Sequence, residues 1–142
     1  MDTVSQMEML RDALRNGTVE VLACPESGTR SSLVLEETYD PRGHVPPHYH
    51  DGEEILVFLE GEGILFIGQD PRSVAGGTTI VIPPGKPHCL YNTGLGRLHL
   101  LAFHPKAHPE YHFVPGLFTD ETNCYKTDVP AKCAGLRHDK AQ

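Results

Sequence analysis

Short apolar runs at residues 19–23, 32–36, 55–59, 64–67, 79–82 and 98–103 are each bounded by Gly, Pro, Asn or Asp. Runs of this length suit strands and are too brief for helices. Fourteen glycines and twelve prolines, most of them between the runs, would break helices and suit the tight turns of a sandwich or barrel. The fold class expected is therefore all-β. Ahead of the first run, Met7, Leu10, Ala13 and Leu14 recur at helical spacing, and Gly17 stands where a helix would stop. This predicts one short amphipathic helix over residues 5–16. Beyond Pro105 apolar residues thin out to Phe113, Val114, Leu117, Phe118 and a few others, the mark of an irregular arm. The expected organisation is an N-terminal helix at 1–17, a β-body at 18–104 and a C-terminal arm or lid at 105–142.

A chain of 142 residues with 39% hydrophobic and 22% charged residues supports one domain with one core. The formal net charge is -7 and no two Lys or Arg are adjacent, so neither nucleic acid nor an anionic membrane is the expected partner. A small-molecule substrate is the default. Asp2, Glu8, Arg11, Asp12 and Arg15 interrupt residues 1–17, leaving no apolar stretch of the kind a signal peptide or membrane helix needs. The expected location is the cytoplasm, where Asn16-Gly17-Thr18 would carry no glycan. Cys24, Cys89, Cys124 and Cys133 form no Cys-x-x-Cys pair, so reduced thiols are expected, with a Cys124–Cys133 bridge as the alternative.

Chemistry concentrates in Pro47-His48-Tyr49-His50-Asp51-Gly52-Glu53-Glu54. Side chains alternate along an extended strand, so His48 and His50 point one way and Tyr49 the other. Glu54, also at an even offset, rejoins the two histidines after the Asp51-Gly52 turn; a parity shift at Gly52 would substitute Glu53. A second segment, Pro83-Pro84-Gly85-Lys86-Pro87-His88, places a further histidine just past a turn, where it could supply a fourth ligand. Imidazole together with carboxylate suits Fe(II), Mn(II), Ni(II) or Zn(II), and four protein donors leave up to about two octahedral positions open.

With these segments in view, the chain resembles the cupin superfamily. Gly77, Pro83, Gly85, His88 and Asn92 match every position of that family's second motif. His48, His50, Glu54 and Gly61 fit its first motif, with Gly43 one residue closer to the histidines than the pattern has it. The resemblance, spanning about residues 32–103, implies a double-stranded β-helix, jelly-roll-like barrel, a metal held by His48, His50, Glu54 and His88, and a homodimer. The helix and the edge strand at 19–23 are the expected contributors to that dimer.

Leu56 and Phe58 share the parity of Glu54, and Ile64 and Phe66 could line the pocket from the next strand; any barrel core needs such residues as well. His99 is either a satisfied buried histidine or an acid–base group in the pocket. Arg30, Arg72 and Arg97 are candidates to clamp a substrate carboxylate, against the ordinary fate of a solvated arginine. His44, His104, His108, His112 and His138 are read as non-ligands, with a lid that lends a residue to the pocket as the alternative for residues 104–112. Cys89 reads as a small packed residue.

The leading functional expectation is an Fe(II) or Mn(II) dioxygenase acting on a small organic molecule. The alternatives are a non-redox isomerase, epimerase, cyclase or lyase with the metal as Lewis acid, and a binding module without turnover.

Overall fold

In the computed structural model, which describes residues 3–114, helix α1 (Thr3–Ala13) is followed by β1 (Arg15–Ala23), one 3-10 turn (Pro25–Ser27) and β2 (Leu33–Tyr49). The chain continues through β3 (Glu54–Glu60), β4 (Glu62–Ile67), β5 (Asp70–Ala75), β6 (Thr79–Ile82), β7 (His88–Asn92), β8 (Leu98–His104) and β9 (His112–Phe113).

The seventeen-residue β2 organises the body. Its first half pairs β1 on one side and β8 on the other, and β8 continues through β3 to β6. Its second half pairs β7 and β9, and β7 continues through β4 to β5. One bent strand thus sits at the middle of a single nine-stranded antiparallel sheet that curls on itself, the all-β architecture with a short N-terminal helix that the punctuated sequence implies.

The inner face follows the period-two rule. On β8, Leu98, Leu100, Ala102 and His104 are buried while the residues between them are half-buried. On β2, Leu33, Leu35, Glu37 and Tyr39 alternate in the same way. Met7 and Leu10 of α1 and Leu14 just after it join this core together with Tyr111, so the helix packs over the barrel through its predicted apolar positions.

Several boundaries differ from expectation. The helix ends at Ala13, and Gly17 lies within β1, not at a helix stop. Gly17 is there for close approach: a Cβ would stand 2.8 Å from Thr38 O and 2.9 Å from the Tyr39 ring. Strands β5 and β7 add to the expected runs, and β9 extends the sheet into the segment read as an irregular arm. Cys89 is disulfide-bonded where a reduced thiol was expected, whereas Cys24 is free. The Cys124–Cys133 alternative and His138 lie outside the described residues.

Gly61, at the end of the first motif, has φ +89°, and a Cβ there would lie 2.2 Å from Arg97 O and 2.8 Å from Leu98 Cα. Both obstacles are backbone and cannot swing aside. Gly61→Ala is therefore expected to cost about 2–4 kcal/mol through strain and displaced packing. Urea denaturation of the metal-free protein checks this, and an unchanged midpoint would contradict the close approach.

Candidate metal centre

The centre begins at a bulge. Pairing of β2 with β7 slips between Val45 and His48, where Pro46 and Pro47 have no N–H to give to a ladder. After the slip His48 lies directly opposite His88. The Pro83-Pro84-Gly85 turn is tied to the end of β2 by a 2.7 Å bond from Gly85 N to His50 O. Glu54 opens β3, buried, whereas Glu53 before it is exposed. The Gly52 turn therefore keeps the parity that brings Glu54, and not Glu53, to the histidines. Tyr49 points away and stacks on His112 at 4.8 Å.

His48, His50, Glu54 and His88 each offer a ligand atom, all within 4.8 Å of one another, and all four residues are buried. Glu54 Oε1 lies 3.1 Å from His88 Nε2 and 3.3 Å from His50 Nε2. Each imidazole is also held from behind. Nδ1 of His48 faces Pro46 O at 2.7 Å, Nδ1 of His88 faces Lys86 O at 2.9 Å, and Nδ1 of His50 faces Glu110 O at 3.2 Å. A carbonyl oxygen only accepts, so Nδ1 carries the proton in all three rings and Nε2 presents its lone pair to the centre.

This arrangement fits a divalent cation. Three lone pairs and a carboxylate oxygen converge, and the buried His50 Nε2 has no hydrogen-bond partner. Without a cation, such a set is mutually repulsive. Burial, then the neighbouring His88 and His50, hold His48 well below the usual imidazole range. Burial likewise lowers His50, against the pull of Glu54. Burial alone would raise Glu54, but His104 and His50 hold it well below the usual carboxylate range. Neutral imidazoles and an ionised carboxylate are the protonation states a metal requires.

A cavity of about 20 Å³ adjoins these groups, room for about one water molecule. His48, Glu54, His88 and Leu56 line it, with Glu37, Leu10 and Tyr111 among the remaining walls. Leu56 thus stands where its parity placed it. Phe58 is fully buried in the core but does not line the cavity.

Like Phe58, three further residues expected in the pocket do not line this cavity. Phe66 lies on the opposite face of β4 from Leu65, which takes the lining position; both are fully buried, so apolarity alone could not choose between them. His99 faces outward and binds Glu36 Oε2 at 2.7 Å. Arg97 is exposed and pairs with Glu60 at 3.1 Å.

Other residues enter the site: His104 and Tyr111 from the segment for which a lid was the alternative expectation, and Glu37, which was not singled out. His104 Nε2 lies 3.2 Å from Glu54 Oε2, so the carboxylate is flanked on both oxygens. Its parity with Leu98, Leu100 and Ala102 was the available signal. Tyr111 reaches the cavity from the segment after β8, and its backbone N–H donates to the buried Gln6 of α1 at 2.9 Å. The segment after β8 therefore does lend a residue to the pocket. Glu37 is buried and accepts a 2.6 Å bond from Tyr39 OH.

The family model for the cupin domain matches residues 35–104, which include all four clustered residues. The chain belongs to the cupin superfamily. Solved cupin-fold structures overlie it: the polyketide cyclase RemF of Streptomyces resistomycificus at TM-score 0.66, 24% identity and 77% and 76% coverage of this and that chain. An oxalate oxidase matches at TM-score 0.63 and 28% identity, covering 70% of this chain and 56% of that one. Among curated proteins, the HTH-type transcriptional regulator PuuR of Escherichia coli is 39% identical over 77 residues, 53% of this chain and 41% of that protein. The chain spans between 37% and 51% of the length of the curated relatives it matches. Among the described residues, no helix of this cupin is long and apolar enough to cross a membrane.

Glu37 gives the metal-free barrel a testable pH signature. Burial, then the charge of Glu54, push its carboxyl from 4.5 up to about 7. Between those values the folded state holds a proton that the unfolded chain has released. The contribution of Glu37 is thus fully present below about pH 4.5 and is lost as pH rises through about 7, a change of about 3 kcal/mol. Glu37→Gln, which cannot ionise, is expected to gain stability relative to the parent between about pH 5 and 8 by that order. Urea denaturation of metal-free protein at both ends checks it; parallel pH profiles would contradict a proton shared in this way.

Proposed function

We propose that this cupin is a metal-dependent enzyme that oxidises a small oxygen-bearing organic molecule with dioxygen, with iron(II) or manganese(II) as the native ion. The observation that carries the reading is the convergence of three Nε2 lone pairs and Glu54. His48, His50 and His88 would hold the ion as neutral donors, while Glu54 would lower its net charge. When bound, the metal supplies Lewis acidity and a one-electron couple for dioxygen chemistry. The protein's part is to keep bulk water out and orient a small molecule. Leu10, Leu56, Leu65, Leu90 and Leu100 make the cavity wall largely apolar. A substrate larger than a water-sized group requires Tyr111 and its segment to give way. The oxalate oxidase similarity supports oxidation of a small carboxylate or hydroxy acid.

A second reading, non-redox chemistry with the metal as Lewis acid, is favoured by the buried carboxyl of Glu37 in the same cavity. Anaerobic reconstitution with iron(II), followed by oxygen-uptake measurement over diketones, catechols, thiols and keto acids, separates the two. The proposal expects substrate-dependent uptake that Glu54→Ala abolishes. Net conversion of a substrate to a different compound under nitrogen with zinc or nickel would overturn oxidation in favour of the second reading. Saturable binding without product would make the chain a binding module.

The reading includes a homodimer. β1 pairs only with β2 among the described residues and exposes Leu22, leaving an edge and an apolar side chain for a second copy. Light scattering is expected to give twice the chain mass, and a monomer at micromolar concentration would contradict this.

A further inference from the structure

One polar group in the cavity has no part in holding a metal. Glu37 projects inward from β2, with Leu100 opposite it on β8 and Val19 on β1. It is 6% exposed, and it lines the same cavity as His48, Glu54 and His88. An ionisable carboxyl in a largely apolar wall is costly to keep and needs compensation. Here the compensation is one short bond, 2.6 Å, from the fully buried Tyr39 OH. Tyr39 is itself anchored, since its carbonyl accepts a 2.9 Å bond from Asn92 Nδ2, the last position of the second motif.

We propose that Glu37 is the catalytic base of this site, taking a proton from a small carbonyl compound that enters between it and the His48–Glu54–His88 wall as Tyr111 and its segment give way. The inference rests on the metal-dependent reading above and adds the group that moves the proton. In the step, a C–H bond next to the substrate carbonyl breaks and its proton forms an O–H bond with Glu37. The electron pair moves onto the carbonyl oxygen, and return of a proton from Glu37 reverses the change. No oxidant is consumed. The Tyr39 hydroxyl stabilises the carboxylate and can accompany it through both protonation states, because a carboxylic acid still offers an acceptor oxygen.

The electrical surroundings suit proton exchange near neutrality. The groups acting on Glu37 are Tyr39 on its own strand, Glu54 on β3, His88 on β7 and His104 on β8; Tyr111, itself coupled to Glu37, comes from the segment before β9. Burial and Glu54 raise the carboxyl, to about 7, while Tyr39, His104 and His88 oppose them. A divalent ion in the cluster works in the same direction as the histidines and favours the basic form.

The test uses the full chain loaded with zinc, which excludes redox turnover, with metal content measured first. Deuterium exchange at the α-carbon of acetone, hydroxyacetone and pyruvate in heavy water is followed by proton NMR. The wild type is expected to exchange at least one of these saturably, at a rate rising with pH through the ionisation of Glu37. Glu37→Gln, which preserves an acceptor for Tyr39 OH, is expected to retain zinc and fold while losing about 100-fold in rate, the scale of general-base catalysis. Glu37→Asp, which keeps the carboxyl but withdraws it by one methylene, is expected to fall between the two and to keep the pH limb. Bound zinc with exchange that is absent, or equal in the wild type and Glu37→Gln, overturns the assignment of Glu37 alone. Failure of the wild type to bind zinc overturns the metal-dependent reading beneath it.

Discussion

Three hydrogen bonds, from Nδ1 of His48, His50 and His88 to the carbonyls of Pro46, Glu110 and Lys86, decide what the interior of this barrel can be. Each fixes a tautomer and a ring orientation, and together they turn three Nε2 lone pairs toward one carboxylate. The backbone is arranged to supply them. The Pro46-Pro47 bulge puts a carbonyl behind His48, the Pro-Pro-Gly turn puts one behind His88, and the segment after β8 returns to put one behind His50. That return also brings Tyr111 over the cavity, where the Gln6 side chain of α1 receives its N–H. The helix, the bent β2 and the closing segment thus meet around the same buried polar cluster.

A cluster of this kind is a burden on folding, because its members lose water without gaining neutral hydrogen-bond partners for every atom. His50 Nε2 and both ring nitrogens of His104 are buried with no hydrogen bond. A cation repays that cost by binding the folded state. Glu37 is a second such burden in the same cavity, relieved by Tyr39. Glu37 and three members of the cluster, His48, Glu54 and His88, line the same small space.

Period-two alternation made the ligand set legible in the sequence. His48 and Tyr49 close β2 and His50 follows directly, and the parity of Glu54 survives the Gly52 turn because the turn resets the chain by an even offset. Alternation could not decide β4, where Ile64, Leu65, Phe66 and Ile67 are all apolar and all buried, so the choice of Phe66 over Leu65 had no physical handle. On β8 the handle existed: His104 shares the parity of Leu98, Leu100 and Ala102, and His99 does not. Arg97 lies in the turn before that strand, where charge is drawn to solvent and to Glu60. Glu37 was hidden for another reason. A second glutamate, Glu36, precedes it in Leu35-Glu36-Glu37-Thr38, and the signal that could have found it is its parity with Leu33, Leu35 and Tyr39, which turns Glu37 inward opposite Leu100 and Val19. The closure by β9 and Tyr111 depends on contacts more than sixty residues apart, which no local pattern encodes.

The central claim is that the four side chains hold one divalent ion through three imidazole nitrogens and one carboxylate oxygen. X-ray absorption at the metal edge of the cobalt(II)- or manganese(II)-loaded protein reads that donor set directly. The account predicts one ion per chain, with scattering from three imidazole rings and only light oxygen or nitrogen neighbours. A sub-stoichiometric ion, or a shell with one imidazole or none, would contradict it.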